Sequence, residues 1–448
     1  MSGETIRLAE FASGLRFEDI PAPVIQRAKD SIADTIATIV FGHSLPWSRI
    51  IVAYARRVGG GGKSLILGEG NRMFTAAHAA LAHGALAHAF ELDGATRPSA
   101  GAHPGATIFT AALALAQERG FGGRELITAF VAGSEVMIRI GRATKHSNET
   151  RGFHAPGTTG PFGAAVACGH LLGFDTERLT NALGIAGSLS SGLVEFAKAG
   201  SGAMVKRLHF GRAAEGGLLA ANLAADGFTG PPTVLEGECG FLKAFCNEHD
   251  AGELTRGLGD TWLTSRISMK RYACHTAGHT PVQAIVDFKS GGPIAHRDIQ
   301  SIEIQVGPKE LRRHDIHDPA DVMIGQYSVP FCVALAIVAD ARDPRTFRDA
   351  DVNDPEVRSL MRRIRLVPWE TPPPSPIASK MTMTMRDGSV RSSVVVDFRG
   401  TPDNPLNETE LRDKFLLLTR DHDASAMTAL LGRLRRLEME PSLDWISV

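Results

Sequence analysis

The sequence predicts a mainly α protein: a large all-helical domain over residues 1–268, a smaller α/β domain over 269–398, and a C-terminal helical segment, 399–448, that returns to the helical domain. Three observations carry this prediction. Apolar residues recur at helical spacing through the first part of the chain, the period changes to strict alternation further on, and helical spacing resumes from Asn407 to Met439.

The elements follow in order. From Pro21 to Gly42, Val24, Ile25, Ala28, Ile32, Ile36 and Ile39 recur at steps of three and four, which makes one buried stripe on a helix. Phe74–Leu92, Thr107–Arg119, Glu125–Arg142, Gly160–Leu172, Glu177–Val194 and Arg212–Ala225 repeat the pattern, rich in alanine and interrupted by glycine, as closely packed helices require. Asp175 stands where its carboxylate can cap the helix that begins at Glu177. Ser301–Val306 then alternates like a half-buried strand, and Lys380–Met385, Asp387–Gly388 and Val390–Val396 read as a hairpin around a two-residue turn. The five prolines between Pro368 and Pro376 mark a loop, because proline cannot donate to a ladder.

Composition limits the function classes. A formal net charge of -1 leaves no global field for nucleic acid or a membrane, so the cations must act locally. Cys168, Cys239, Cys246, Cys274 and Cys332 are scattered without a C-x-x-C pair, which favours free thiols in a reducing compartment. The opening residues carry acids and no apolar leader, and no stretch approaches about eighteen apolar residues, so a cytoplasmic protein is expected.

Several motifs carry less than they promise. Gly59–Gly62 followed by Lys63-Ser64 imitates a phosphate loop, but Arg57 replaces its first glycine and the apolar run follows the glycines, so a turn is expected. His78, His83 and His88 are five apart, a rotation of about 140° per step, and share no helix face. His275 and His279 have i, i+4 spacing but no acid or sulfur at a zinc spacing completes a site, so no metal is expected. Ser188, Ser190 and Ser191 lack nucleophile-elbow spacing and read as small residues at a helix contact.

Two basic clusters remain: Lys206-Arg207-Leu208-His209, closed by Arg212, and Lys270-Arg271-Tyr272, with His275 and His279 beyond. Fixed cations beside titratable histidines suit an anionic substrate whose protons must move. Lys206-Arg207 reads equally as a solvated surface pair. Asp93 and His103 lie ten residues apart around a loop; they read equally as a catalytic pair and as a helix-end acid with an N-cap neighbour. His154 stands in a Gly-Phe-His-Ala-Pro-Gly turn at a helix start, where free amides favour an anion.

The runs Gly152–Thr158, Phe162–Ala165, Leu171–Phe174, Ala182–Gly187, Ser191-Gly192, Met204–His209 and Gly227–Pro231 resemble the MmgE/PrpD family, and the likeness extends over nearly the whole chain. The resemblance implies that the α/β domain is a lid, that the active site lies in the cleft between the domains, and that the protein is a homodimer. It also implies a cofactor-independent lyase, dehydratase-type, acting on a small di- or tricarboxylate by proton abstraction beside a carboxylate; epimerisation and decarboxylation are the family's other reactions, and a non-catalytic binding protein is the remaining alternative. Carried across residue by residue, it assigns catalytic roles to Asp93, His103, His154, Lys206, Lys270 and His279. Arg97, Arg207, His209, Arg271, Tyr272 and His275 are then the expected substrate-binding residues. Asp93-Gly94-Ala95-Thr96 stands where the family usually shows paired aspartates before a threonine, and Arg97, Arg271 and His275 point to a more anionic substrate.

Overall fold

The computed structural model describes residues 3–97, 99–369 and 371–448. These contain 19 α-helices and a small mixed sheet, so the fold is mainly α with a smaller α/β part. Eight helices build the layers around the site: α1 (Ala22–His43), α2 (Ala76–Ala87), α3 (Gly123–Ala143), α4 (Ala155–Leu171), α5 (Val205–Ala225), α6 (His279–Ser290), α7 (Glu408–Leu418) and α8 (Ala424–Leu434).

The centre of the helical part is α4, with α3 and α5 packed on it and α2 packed in turn on α5. Only His170 of α4 escapes burial, as expected of a helix with no polar face. The crossing of α2 and α5 depends on two glycines: a Cβ on Gly84 would lie 2.8 Å from Gly211 Cα, and one on Gly211 would lie 2.2 Å from the Leu81 carbonyl oxygen. No side chain fits there, and the close approach brings the start of α5 against the end of α2.

Several helix boundaries differ from the sequence expectation, among them the start of α4, at Ala155 and not at Gly160. The helix read to Leu92 ends at Ala87, because the chain turns sharply and Glu91 adopts a positive φ of 58°. The helix read from Glu177 to Val194 stops at Ser188; its start is as expected, with the Asp175 carboxylate accepting from Arg178 N at 2.9 Å. The helix read from Arg212 begins at Val205, which places Lys206, Arg207 and His209 on its first turns. Gly59–Gly62 form the turn between helix Pro46–Val58 and the two-residue strand Ser64–Leu65.

The four-stranded sheet comprises β1 (Ile299–Val306), β2 (Ile364–Pro368), β3 (Ser379–Met385) and β4 (Val390–Val395), in the order β2-β1-β3-β4. The β3–β4 hairpin turns at Gly388, whose φ of 85° suits glycine. β3 buries Ser379, Met381, Met383 and Met385 on one face, with α6 packed against the hairpin. β2, which the sequence reading missed, pairs parallel to β1 and ends at Pro368, where the expected proline-rich loop begins; Glu370 within that loop lies outside the described residues.

The C-terminal helices lie against α1. Lys29 of α1 donates to Glu438 and to the Arg435 carbonyl, both at 2.9 Å, and α7 starts from a capping box formed by Asn407 and Glu410. A single connected apolar core runs through the helical layers and the sheet. Among the described residues no single helix is long and apolar enough to cross a membrane.

Candidate active site

Four stretches far apart in sequence converge beyond the end of α2. The first is the loop from His88 to His103. Gly101, at φ 67°, lets this loop press on the start of α4, where a Cβ would come within 2.2 Å of the Ala155 backbone. The second is His154, the N-cap residue of α4, and the third is the first two turns of α5. The fourth is the segment from Ile267 to His279, fixed by a short antiparallel pairing of Ala95 with Ser268 and Thr96 with Ile267. That pairing sets Lys270 beside the loop that carries Glu91.

Glu91 is the hub. One carboxylate oxygen accepts from Lys206 Nζ and, at 3.2 Å, from the Tyr327 hydroxyl; the other accepts from Lys270 Nζ at 2.9 Å. All three charged side chains are buried. Burial alone would push the Glu91 carboxyl up, but the two ammoniums, with His88 adding to them, hold it well below the usual carboxylate range. Burial also lowers both lysines. In Lys270 the attraction of Glu91 and Asp93 overcomes it and the net shift is upward, whereas Lys206 is pushed down to about 8.

Asp93 organises a second group. Its two oxygens lie 2.6 Å from His88 Nδ1 and 2.7 Å from His103 Nδ1. Burial opposes ionisation of Asp93, but His88 and His103 keep its carboxyl far below the ordinary range, so it acts only as an acceptor. Each Nδ1 therefore carries a proton, and in His103 this leaves Nε2 as the position that can face a substrate. His88 Nε2 sits 3.3 Å from Glu91 without the alignment of a hydrogen bond, and the ring stacks on Phe210 at 3.8 Å. His103 is the more open of the two, with 15% of its side chain exposed. One atom each from His88, Asp93 and His103 falls within 4.8 Å of the others, a donor set of the kind metals use, yet the hydrogen-bond distances make it equally an acid that orients two imidazoles.

His154 and His209 face each other with Nδ1 atoms 2.8 Å apart, so one ring donates and the other accepts. The Phe196 ring packs edge-on to His154 and lies 5.8 Å from Lys206 Nζ, which places these groups in the same chamber. Burial and the neighbouring Lys206 cation lower both histidines, His154 strongly and His209 to about 4. His275, His314 and Tyr327 stack on one another, and Tyr327 lies over Lys206.

The remaining expected site residues are directed elsewhere. Arg207, one position along the helix from Lys206, points away from it; its guanidinium lies over Trp47 and donates to the carbonyls of Ala89 and Ala203. Arg271 pairs with Glu410 at 3.4 Å. The Tyr272 hydroxyl donates to Gln283 of α6 and is buried there. His279 is fully buried behind the site, with Nε2 3.2 Å from the Cys274 carbonyl and its ring against Phe398, because it opens α6 on the inward side. Arg97 is exposed at the surface. The sequence reading set His88 aside, missed Tyr327 and did not single out Glu91; the spacing His88-x-x-Glu91-x-Asp93 just beyond an alanine-rich helix is the signal that could have found two of them.

The comparisons with known proteins come to the same region of sequence space. The MmgE/PrpD N-terminal domain model matches residues 6–254 and the MmgE/PrpD C-terminal domain model residues 272–430. A cis-aconitate decarboxylase of Aspergillus terreus is 32% identical over 393 residues, covering 81% of this chain and 78% of its own. The Homo sapiens cis-aconitate decarboxylase is 25% identical over 417 residues, covering 90% and 85%, and that of Mus musculus is 25% identical over 459 residues, covering 97% and 91%.

Proposed function

This chain belongs to the MmgE/PrpD family, and from that premise we propose that it is a lyase that removes carbon dioxide or water from a small di- or tricarboxylate. One observation carries the reading: two buried lysines share a single carboxylate, next to histidines oriented by a second one. Lys206 and Lys270 bring two positive charges to the one carboxylate of Glu91, so the chamber favours an added anion.

The chemistry follows from where charge develops. When a β,γ-unsaturated acid such as cis-aconitate loses carbon dioxide, the released bond pair moves through the double bond to a carbon beside a second carboxylate, and a proton must arrive there. Dehydration runs through the same kind of centre, with a proton leaving the carbon beside the carboxylate and hydroxide departing from its neighbour. In both, negative charge builds next to a carboxylate, and a cation aimed at it lowers the barrier; losing one such contact costs ~3–4 kcal/mol. Lys206 and Lys270 take that role. His103, held by Asp93 at Nδ1, presents Nε2 to the substrate: unprotonated, it takes the proton in a dehydration, and protonated there, it delivers one in a decarboxylation; His154 is the second candidate. Cations and acid–base groups are all supplied by side chains, so the reaction as proposed uses no metal or organic cofactor. The names of the relatives make decarboxylation the first reaction to test. Like the rest of the assignment, a homodimeric, cytoplasmic enzyme is part of this proposal.

The test is incubation with cis-aconitate and with citrate-, tartrate- and succinate-like acids in deuterated water, followed by NMR. The expected result is loss of carbon dioxide or water, with one deuteron fixed beside a carboxylate in the decarboxylated product. Deuterium exchange without loss of a group would replace the reading with an epimerase. Binding without exchange or turnover would leave only a binding protein.

A further inference from the structure

We propose that Lys414, on α7, is a positioning residue that fixes the turn from which Glu91 and Asp93 project. The Lys414 ammonium donates to the Leu92 carbonyl at 3.2 Å across 322 residues of sequence, and it pairs with Asp34 of α1 at 2.5 Å. Leu92 lies between the two acids, so its peptide group sets the direction of both. Glu91 occupies the left-handed region at φ 58°, a conformation that non-glycine residues hold only when their surroundings impose it. Lys206, Lys270 and Tyr327 hold the end of the Glu91 side chain, but the backbone beyond it is held by a cation from the C-terminal segment.

The environment of this lysine argues for a built feature. Its side chain is 8% exposed and that of Asp34 is 4% exposed, and the second Asp34 oxygen has no hydrogen-bond partner. A buried ammonium is retained at the expense of solvation, and pairing with Asp34 alone would leave unexplained why it also reaches a carbonyl in the catalytic loop. Asp34 also lines a cavity of about 380 Å³ between α1 and the two C-terminal helices, together with the charged Lys29, Asp30, Glu408 and Arg435. Lys29 is engaged by Glu438 and Arg435 by Glu408, so neither competes for Leu92. The C-terminal segment thereby becomes part of the active site's support without touching the chamber.

The inference rests on the proposed function for its kinetic readout, so the experiment has a second, structural arm. Lys414→Met would leave Asp34 as an uncompensated buried charge and destabilise the protein whatever the role of the lysine. The informative variant is therefore the double substitution Asp34→Asn with Lys414→Met, which removes both charges together, compared with Lys414→Arg, which keeps the cation. Melting temperature, kcat and KM are measured, together with the downfield imidazole N–H signals of His88 and His103. In the double variant we expect a melting temperature near that of the parent, kcat lower by about tenfold or more, KM within about threefold, and displaced His88 and His103 signals, because a misplaced acid loses orientation more than affinity. Lys414→Arg should recover much of kcat. A double variant with parental kcat and unmoved imidazole signals would show that Lys414 only neutralises Asp34, and the proposal would fall. If the parent protein turns over none of the acids, the lyase reading fails, and the imidazole signals still decide the role of Lys414.

Discussion

Glu91→Gln is the sharpest perturbation of the site, because it keeps shape and removes only charge. Glu91 is the carboxylate shared by Lys206 and Lys270, whose side chains are 7% and 5% exposed. Taking it away leaves two buried ammoniums facing each other, and removing one partner of a buried pair destabilises by about 3–5 kcal/mol. With an unfolding entropy of roughly 2.1 cal/mol/K per residue, a chain of this length should lose about 3–5 °C in melting temperature. The second effect is on protonation. Lys206 titrates at about 8 because burial pulls it down while Glu91 pulls it back up. In the variant the upward pull is gone, so Lys206 loses its proton at a lower pH than before. If charged Lys206 stabilises the developing anion, the alkaline limb of kcat/KM must move to lower pH, and the loss of rate must be larger at pH 8 than at pH 6.5. Calorimetry and a pH–rate profile measure both. An alkaline limb that stays in place, with rate reduced equally at every pH, would refute the assignment of Lys206 as the fixed cation.

Three further predictions test separate parts of the site. His103→Ala should lower turnover by ~10²–10⁴ while circular dichroism stays unchanged, since the ring is partly exposed and its loss opens little core; unaltered turnover would exclude it as the proton carrier. The folded state holds His154, His209 and His275 below their ordinary range, so the unfolded chain takes up protons first as the pH falls. Their contribution to stability is complete above about pH 6.5 and is lost below it, for His209 down through about 4; Glu91 and Asp93, also held down, extend the loss further into acid. Thermal melts should stay level from pH 7.5 to about 6.5 and slope downward from there to 4.5, less steeply in His209→Gln, and a profile flat to 4.5 would contradict the burial of neutral rings. Finally, cis-aconitate at about a hundredfold over its Kd should stabilise the protein by roughly 2.7 kcal/mol, visible as a raised melting temperature. The shift should vanish in the Lys206→Ala, Lys270→Ala double variant, and a shift that survives would place the anion elsewhere.

How much of this could be read in the sequence depends on whether the information is local. The long helices were legible because an amphipathic or alanine-rich period declares itself within one segment, and the β3–β4 hairpin because Asp387-Gly388 specifies its own turn. β2 was not, since five residues that run into a proline acquire meaning only through their parallel neighbour β1. The end of α2 and the start of α5 were misplaced for a related reason. Alanine-rich sequence does not say where a helix must stop, and the stop at Ala87 is set by the anchoring of Glu91 and Asp93 to partners on other elements.

The same distinction governs the site. Lysine and histidine clusters stand out in a chain of balanced charge, and Lys206, Lys270, His154 and His103 do converge on one region. What composition cannot convey is direction. Lys206 and Arg207 are neighbours on a helix and therefore about 100° apart, so one enters the chamber and the other turns to Trp47. Lys270, Arg271 and Tyr272 are consecutive, yet they reach Glu91, Glu410 and Gln283 in three different layers. A basic run in sequence thus overstates the number of cations at a site, whereas an isolated acid is easily passed over. Glu91 illustrates the second case: its importance lies in the two lysines that meet on it from 115 and 179 residues away, and only the folded chain brings them there.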